Sequence, residues 1–221
     1  MKFFEIELWD KTKREFLDNL NFDKKNWVAT VNPEFFAESW RDKNFLNILK
    51  NKTNYNLIDG NGLLWATGLP KNRLISGVDL MDDLCQIAEH KGISVYFLGG
   101  YDNASGKTAE YFLKKYKKLK IAGYGEKFEK VKEKKLIFFV ALGMKKQEMW
   151  IEKNIDFVPP GVVVGVGRSF DYYSGTISRA PKIVREMGFE WLWSALLDFR
   201  RLKRQLRNLP WFVWRVLSDR I

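Results

Sequence analysis

The 221 residues are 46% hydrophobic, enough for one ordinary α/β domain with a buried core. With 38 Lys+Arg against 27 Asp+Glu, the net charge of +11 draws anionic partners: nucleic acid, anionic lipid or phosphorylated substrates, among which charge does not choose. The single cysteine, Cys85, excludes an intrachain disulfide and a Cys-rich metal site, and fits a reducing compartment.

In chain order, the first 16 residues interrupt their apolar positions with Glu5, Glu7 and Asp10, which is not the pattern of a signal peptide. Short apolar runs then predict strands over 27–31, 55–58, 93–98, 119–122, 136–142 and 162–166. Helical spacing predicts helices over 34–50, 79–91, 104–117 and 146–153, and the Lys/Glu-rich stretch 126–135 reads as a solvated helix or loop. This alternation implies an α/β fold, a Rossmann-like and mainly parallel sheet with helices on both faces. The longest uncharged stretch, 157–167, contains Pro159 and Pro160 and falls short of the roughly 18 apolar residues of a spanning helix. The body is therefore expected to be soluble and cytoplasmic.

From Trp191 onward the pattern changes. Leu192, Ala195, Leu196, Phe199, Leu202, Leu206 and Leu209 recur at helical spacing, and Arg200, Arg201, Lys203, Arg204 and Arg207 fill the other faces. The run Pro210-Trp211-Phe212-Val213-Trp214-Arg215 follows. A basic amphipathic helix ending in tryptophans suits an anionic bilayer surface; a terminal helix packed on the body, its arginines merely solvated, is the other reading. The expected division is a core over 1–188 and a helical appendage over 189–221.

Several strands run into small or polar residues: Val31 into Asn32-Pro33, Ile58 into Asp59-Gly60-Asn61-Gly62, Leu98 into Gly99-Gly100, Leu142 into Gly143, and Val166 into Gly167-Arg168. Any one such turn is unremarkable. Five together fit a nucleotide-type crevice at the carboxyl edge of a parallel sheet, where backbone and helix N-termini meet phosphates. The only histidine, His90, sits late in a predicted helix, so no Ser/His/Asp or Cys/His triad is available. There is no Walker motif and no Asp-x-Asp pair, and Gly165-Val166-Gly167 is too short for a dinucleotide fingerprint. Asp59 is the candidate general base, a carboxylate projecting from a strand end; the alternative role for it is to cap the helix starting near Asn61. Gln147, Glu148 and Asp171 stand where they either bind sugar or cap helices.

Read in order, these pieces resemble the WecG/TagA/CpsF family, glycosyltransferase family 26, from about residue 27 to 204. The segments are Thr30-Val31-Asn32-Pro33-Glu34, Ile58-Asp59-Gly60-Asn61-Gly62, Arg73-Leu74-Ile75-Ser76-Gly77-Val78-Asp79-Leu80, Phe97-Leu98-Gly99-Gly100 and Leu142-Gly143-Met144-Lys145-Lys146-Gln147-Glu148. They continue through Val166-Gly167-Arg168-Ser169-Phe170-Asp171, Arg179-Ala180-Pro181 and Gly188-Phe189-Glu190-Trp191-Leu192. The resemblance implies transfer of a sugar, N-acetylmannosamine in several members, from a UDP-sugar to undecaprenyl-diphosphate-linked N-acetylglucosamine. It implies no metal or other cofactor, an appendage that contacts the membrane, and peripheral attachment at the cytoplasmic face. Other members serve capsule or exopolysaccharide assembly with other hexoses.

Carried over by position, Asp59 is similar to the family's proposed base, with Thr30 and Asn32 beside it on the acceptor side. Arg73 and Gln147 match residues lining the substrate pocket, and Gly99-Gly100 matches part of the nucleotide site; Asp171 stands in the most specific motif. Arg200, Arg204 and Arg207 are candidates to reach a diphosphate, and Trp211 and Trp214 to meet the membrane. Two departures stand out: Lys145 where the family has Pro, and Arg168-Ser169 where it has Gly-Ala. Both cations are expected near the diphosphate. A homo-oligomer is compatible with all of this. A nucleic-acid-binding module, suggested by charge alone and lacking any recognised motif, and a non-catalytic nucleotide-sugar-binding protein are the competing readings.

Overall fold

The computed structural model describes residues 1–219, apart from the side chains of residues 199–201. The chain opens with an antiparallel pair, β1 (Lys2–Phe3) and β2 (Ile6–Glu7), followed by α1 (Lys13–Asn19). A capping box starts α1: the Thr12 hydroxyl accepts from the Glu15 N–H, and the Glu15 carboxylate accepts from the Thr12 N–H at 2.8 Å.

After β3 (Lys25–Val31), Asn32 starts α2 (Pro33–Ser39) by accepting from the N–H groups of Glu34 and Phe35, with Pro33 pre-set in the first turn. The single helix expected over 34–50 is in fact α2, then α3 (Lys43–Asn47), then a π-helical turn Ile48–Lys52. Asp42 causes the restart, because its side chain accepts from the N–H groups of Asn44 and Phe45. Next come β4 (Tyr55–Ile58), α4 (Asn61–Thr67), a 3-10 turn Lys71–Arg73, α5 (Gly77–Lys91), β5 (Ser94–Gly99), α6 (Ala104–Lys115) and β6 (Lys120–Gly125). Residues 126–135 form an irregular loop. The remainder is β7 (Leu136–Ala141), α7 (Lys146–Asn154), β8 (Gly161–Gly165), α8 (Ser169–Tyr173), α9 (Lys182–Glu186), α10 (Glu190–Leu196) and α11 (Phe199–Ser218).

All six expected strands form one parallel sheet in the order β4-β3-β8-β7-β5-β6. The side chains alternate between two buried layers, as a sheet covered on both faces requires. Val28, Leu57, Val95, Phe97, Ile137, Phe139, Val162 and Val164 pack with residues of α5 and α6. Trp27, Tyr96, Leu98, Phe138, Val140 and Val163 pack with Ile151 of α7, while Ala29, Val31 and Ile58 pack with α2, α3 and α11. Cys85 is fully buried in the first layer, and burial pushes its thiol pKa up. His90 is exposed in the last turn of α5.

The appendage differs in detail from the sequence expectation. Its helix breaks into α10 and α11, and α11 runs on through Pro210. An interior proline costs about 3 kcal/mol. Beyond it Phe212 and Val216 are 1% and 2% exposed, and burying each side chain returns about 1.5–3 kcal/mol, so the turns past Pro210 hold. The face of α11 that docks is Gln205, Asn208, Phe212 and Val216. Leu206, Val213 and Leu217 on a neighbouring face remain exposed.

Candidate active site

Because the six strands are parallel, their carboxyl ends and following loops gather along one edge. There they surround a cavity of about 1500 Å³. At one end lies the pair from β3 and β4. Thr30 is buried, and its hydroxyl donates to the Gly165 carbonyl at 3.0 Å. Asp59 follows β4, its N–H donating to the Val31 carbonyl at 2.8 Å. Both side chains converge on Gly77, the first residue of α5: a β-carbon there would stand 3.4 Å from Thr30 Oγ1 and 3.7 Å from Asp59 Oδ2. The half-buried carboxylate therefore sits at the positive end of a 15-residue helix, where negative charge is favoured. Gly60, at φ 103°, holds the position before α4, one residue beyond Asp59.

Asn32 lines the cavity beside them while its side-chain oxygen caps α2. The floor is backbone. Gly99 and Gly100 have φ of 95° and 77°, and a β-carbon on Gly99 would lie 2.7 Å from the Ala141 carbonyl oxygen. Gly143 and Gly167 continue the floor. Gln147, 2% exposed, supports it: its Oε1 accepts from the Gly167 N–H at 3.0 Å and its Nε2 donates to Glu148 Oε1 at 2.7 Å.

The appendage, with α9 just before it, forms the far wall, contributing residues from Lys182 to Val213. Ion pairs fasten it. Arg168 reaches Asp198 at 2.7 Å and Asp171 at 3.3 Å, and Arg204 reaches the buried Glu34 at 3.1 Å. Arg179 joins Asp79 at 2.6 Å to Glu190 at 3.1 Å. Burial works against the Arg179 charge, but hydrogen bonds and charge from Asp79 and Glu190 prevail and push its pKa up; Asp79, resisted by burial, is held low by Arg179. A family model described as the glycosyl transferase WecG/TagA/CpsF family matches residues 1–221. The chain belongs to that family.

Among similar proteins, the N-acetylglucosaminyldiphosphoundecaprenol N-acetyl-beta-D-mannosaminyltransferase of Bacillus subtilis (strain 168) is 30% identical over 206 residues, 87% of this chain and 79% of the relative. Proteins of the same name from Staphylococcus aureus are 31% identical (strain MRSA252) and 32% identical (strain NCTC 8325 / PS 47), each over 203 residues, covering 86% of this chain and 79% of the relative. This is thus a WecG-type glycosyltransferase.

Within that frame, Thr30, Asn32, Asp59, Gly99, Gly100, Gln147, Asp171 and Arg204 all line the one cavity. Arg73 does not: the 3-10 turn directs Leu74 and Lys71 to the wall, while the Arg73 guanidinium lies 3.7 Å from Glu15. Arg207 is exposed on α11 and lies off the cavity lining, and the Arg200 side chain falls outside the described residues. Trp211 stacks on Trp214 with centroids 5.0 Å apart, and Trp214 is 56% exposed. The cation expected from Lys145 is turned away from the cavity. Its Nζ sits 2.8 Å from both Glu38 and Asp42, which raise its pKa. Arg168 is likewise matched by carboxylates. Sequence reasoning passed over Trp65, Lys71, Lys182 and Arg185, which line the cavity from loops and short helices without a strand-end signal, and also Tyr101, just past the Gly99-Gly100 turn, and Gln205 on α11. Among the described residues no cluster of three His, Cys, Asp or Glu side chains is placed to hold a metal, and no helix is long and apolar enough to cross a membrane.

Proposed function

We propose that this glycosyltransferase moves a sugar, with N-acetylmannosamine the first donor to test, from a UDP-sugar to undecaprenyl-diphosphate-linked N-acetylglucosamine at the cytoplasmic face of the bacterial membrane. The names of the relatives support the acceptor and the sugar. The observation that carries the reading is the meeting of Asp59 and Thr30 at Gly77, at the end of a glycine-floored cavity.

In one inverting step Asp59 takes the proton of the acceptor hydroxyl as that oxygen attacks the sugar C1. The C1–O bond to the diphosphate breaks, and UDP leaves with the electron pair. Thr30 and Asn32 orient the acceptor. Holding both substrates in one cavity replaces a bimolecular encounter with a pre-set geometry. Charge on the departing diphosphate is met by cavity cations such as Lys146, the Gly99-Gly100 turn leaving room for it against the backbone, with no metal required.

The test is a screen of a lipid-diphosphate N-acetylglucosamine analogue against UDP-sugars, read by product mass, with and without chelator. Transfer is expected from at least one UDP-sugar and is expected to survive chelation. Asp59→Asn should lower kcat by roughly 10²–10⁴-fold while leaving the circular dichroism spectrum intact. Wild-type turnover in the folded variant would remove Asp59 from the base role, and absence of product with every donor would remove the reading.

A further inference from the structure

We propose that the lipid diphosphate of the acceptor is held at the cavity mouth between the α4–α5 connection and α9–α10. Lys71, Lys182 and Arg185 meet the phosphates there, and Trp65 and Trp191 flank the first isoprenoid units. The proposal rests on the transferase reading and assigns its acceptor subsite.

All five side chains line the cavity. The two walls of the mouth touch: Lys71 Nζ donates to the Glu186 carbonyl at 2.9 Å, and a β-carbon on Gly188 would stand 3.0 Å from the Asn61 side chain. Asn61 is two residues past Asp59, so the mouth opens beside the carboxylate that has to meet the acceptor hydroxyl.

Charge separates these cations from the arginines elsewhere in the cavity. Arg168, Arg179 and Arg204 are each matched by carboxylates at 2.6–3.3 Å. Lys71 and Arg185 donate instead to the main-chain carbonyls of Glu186 and Ala180. Lys182 has Glu186 at 3.7 Å with both side chains well exposed, a pair that water screens. The nearby carboxylates are Glu186 and Asp79, and Asp79 is already bound by Arg179, so the three cations leave an excess that a diphosphate neutralises.

The apolar half of the mouth fits the same ligand. Trp65 and Trp191 are 49% and 41% exposed, and Ile183 and Met187 of the α9 region are exposed beside the cations. Large apolar side chains around a cationic cleft match an amphiphile with a diphosphate head and a hydrocarbon tail. The α11 arginines suit the task less well, since Arg204 holds Glu34 and Arg207 lies off the cavity.

Calorimetric titration of the full chain with farnesyl diphosphate, farnesol, inorganic diphosphate and UDP reads the subsite without turnover, so a failed donor screen and a failed subsite are separate results. Farnesyl diphosphate should bind wild type more tightly than farnesol or inorganic diphosphate. Lys182→Glu/Arg185→Glu should weaken it tenfold or more and leave UDP affinity unchanged. Lys71→Gln, a milder change, should weaken it several-fold. Lys114→Glu/Lys117→Glu, which alters net charge equally at exposed positions elsewhere, should have no effect. Unchanged farnesyl diphosphate affinity in the folded double variant would overturn the proposal. So would an equal loss for UDP, which would give these cations to the donor, or inorganic diphosphate binding as tightly as the lipid, which would dismiss the tryptophans.

Discussion

A β-carbon at Gly165 would fall 2.5 Å from Gln147 Nε2 and 2.8 Å from Glu148 Oε1, so the end of β8 is packed directly on this pair. Glu148 is completely buried. It accepts from the Lys145 N–H and from Gln147, and Gln147 in turn holds the Gly167 N–H. Burial outweighs those hydrogen bonds and raises the Glu148 pKa from 4.5 to about 7. Such a carboxyl keeps its proton in the fold where the unfolded chain has lost it. Between pH 4.5 and about 7 the native state therefore binds more protons, and stability falls as pH rises through that window and levels off above it. The full fall from this group is about 3 kcal/mol. Urea midpoints at pH 5, 6, 7 and 8 should show that slope in wild type and a flatter one in Glu148→Gln; parallel curves would clear Glu148. At this scale Thr30 came from the family resemblance, while the sequence placed Asp59 and Asn32 at the edge, because a polar residue closing an apolar parallel strand has only the carboxyl edge to face. It did not reveal that Arg73 points outward, since a 3-10 turn of three residues carries no periodicity, nor that Lys145 pairs with Glu38 and Asp42 more than a hundred positions earlier in the chain.

Among the elements, α11 shows how a correct pattern leads to an incomplete structure. Its helical spacing was plain, yet the face that packs on α2 is led by Gln205 and Asn208, with Arg41 donating to Asn208 at 2.6 Å. Hydrophobicity cannot flag a docking face built from amides. Glu34 Oε1, Gln205 Oε1, Asn208 Nδ2 and Trp211 Nε1 are buried there without hydrogen-bond partners, so the seam is weaker than its area suggests. Docking of the appendage then depends on its latches, and Arg168 is the one nearest the α10–α11 junction: it bonds Asp198 and the Ser194 carbonyl and hydroxyl. Arg168→Ala removes the guanidinium between Asp171 and Asp198 and should cost about 1–3 kcal/mol of docking, because both pairs are partly buried. Amide exchange in α10 and α11 should quicken roughly tenfold or more while the sheet amides stay unchanged. Equal exchange in both regions would show that the latch carries nothing.

For the molecule as a whole, the core was legible where burial is periodic. Each of the six apolar runs became a strand, whereas β1 and β2, two residues each, left no trace in the pattern. The unresolved partner in the folded chain is what covers its exposed apolar side chains. Leu206, Val213 and Leu217 line one face of α11, with Leu196 and Leu197 near its start, while Lys203, Arg207, Trp214 and Arg215 are exposed on the same helix. Val213 also lines the cavity and Arg215 lies over the Trp40 ring, but Leu206, Leu217, Lys203 and Arg207 belong to neither the docked face nor the cavity wall, so changing these four tests surface attachment without dismantling the fold. A membrane surface bearing anionic lipid satisfies both sectors, through apolar insertion and about 1 kcal/mol per cation near the headgroups. Leu206→Ser/Leu217→Ser should therefore reduce sedimentation with anionic liposomes by roughly tenfold or more in affinity. Lys203→Gln/Arg207→Gln should reduce it about tenfold and flatten its dependence on salt. Transfer to a long-chain acceptor in liposomes should fall in step, while transfer to a short, water-soluble acceptor should not. If the serine variant sediments as wild type does, or loses both transfers together, the exposed face of α11 is not what brings the cavity to the lipid.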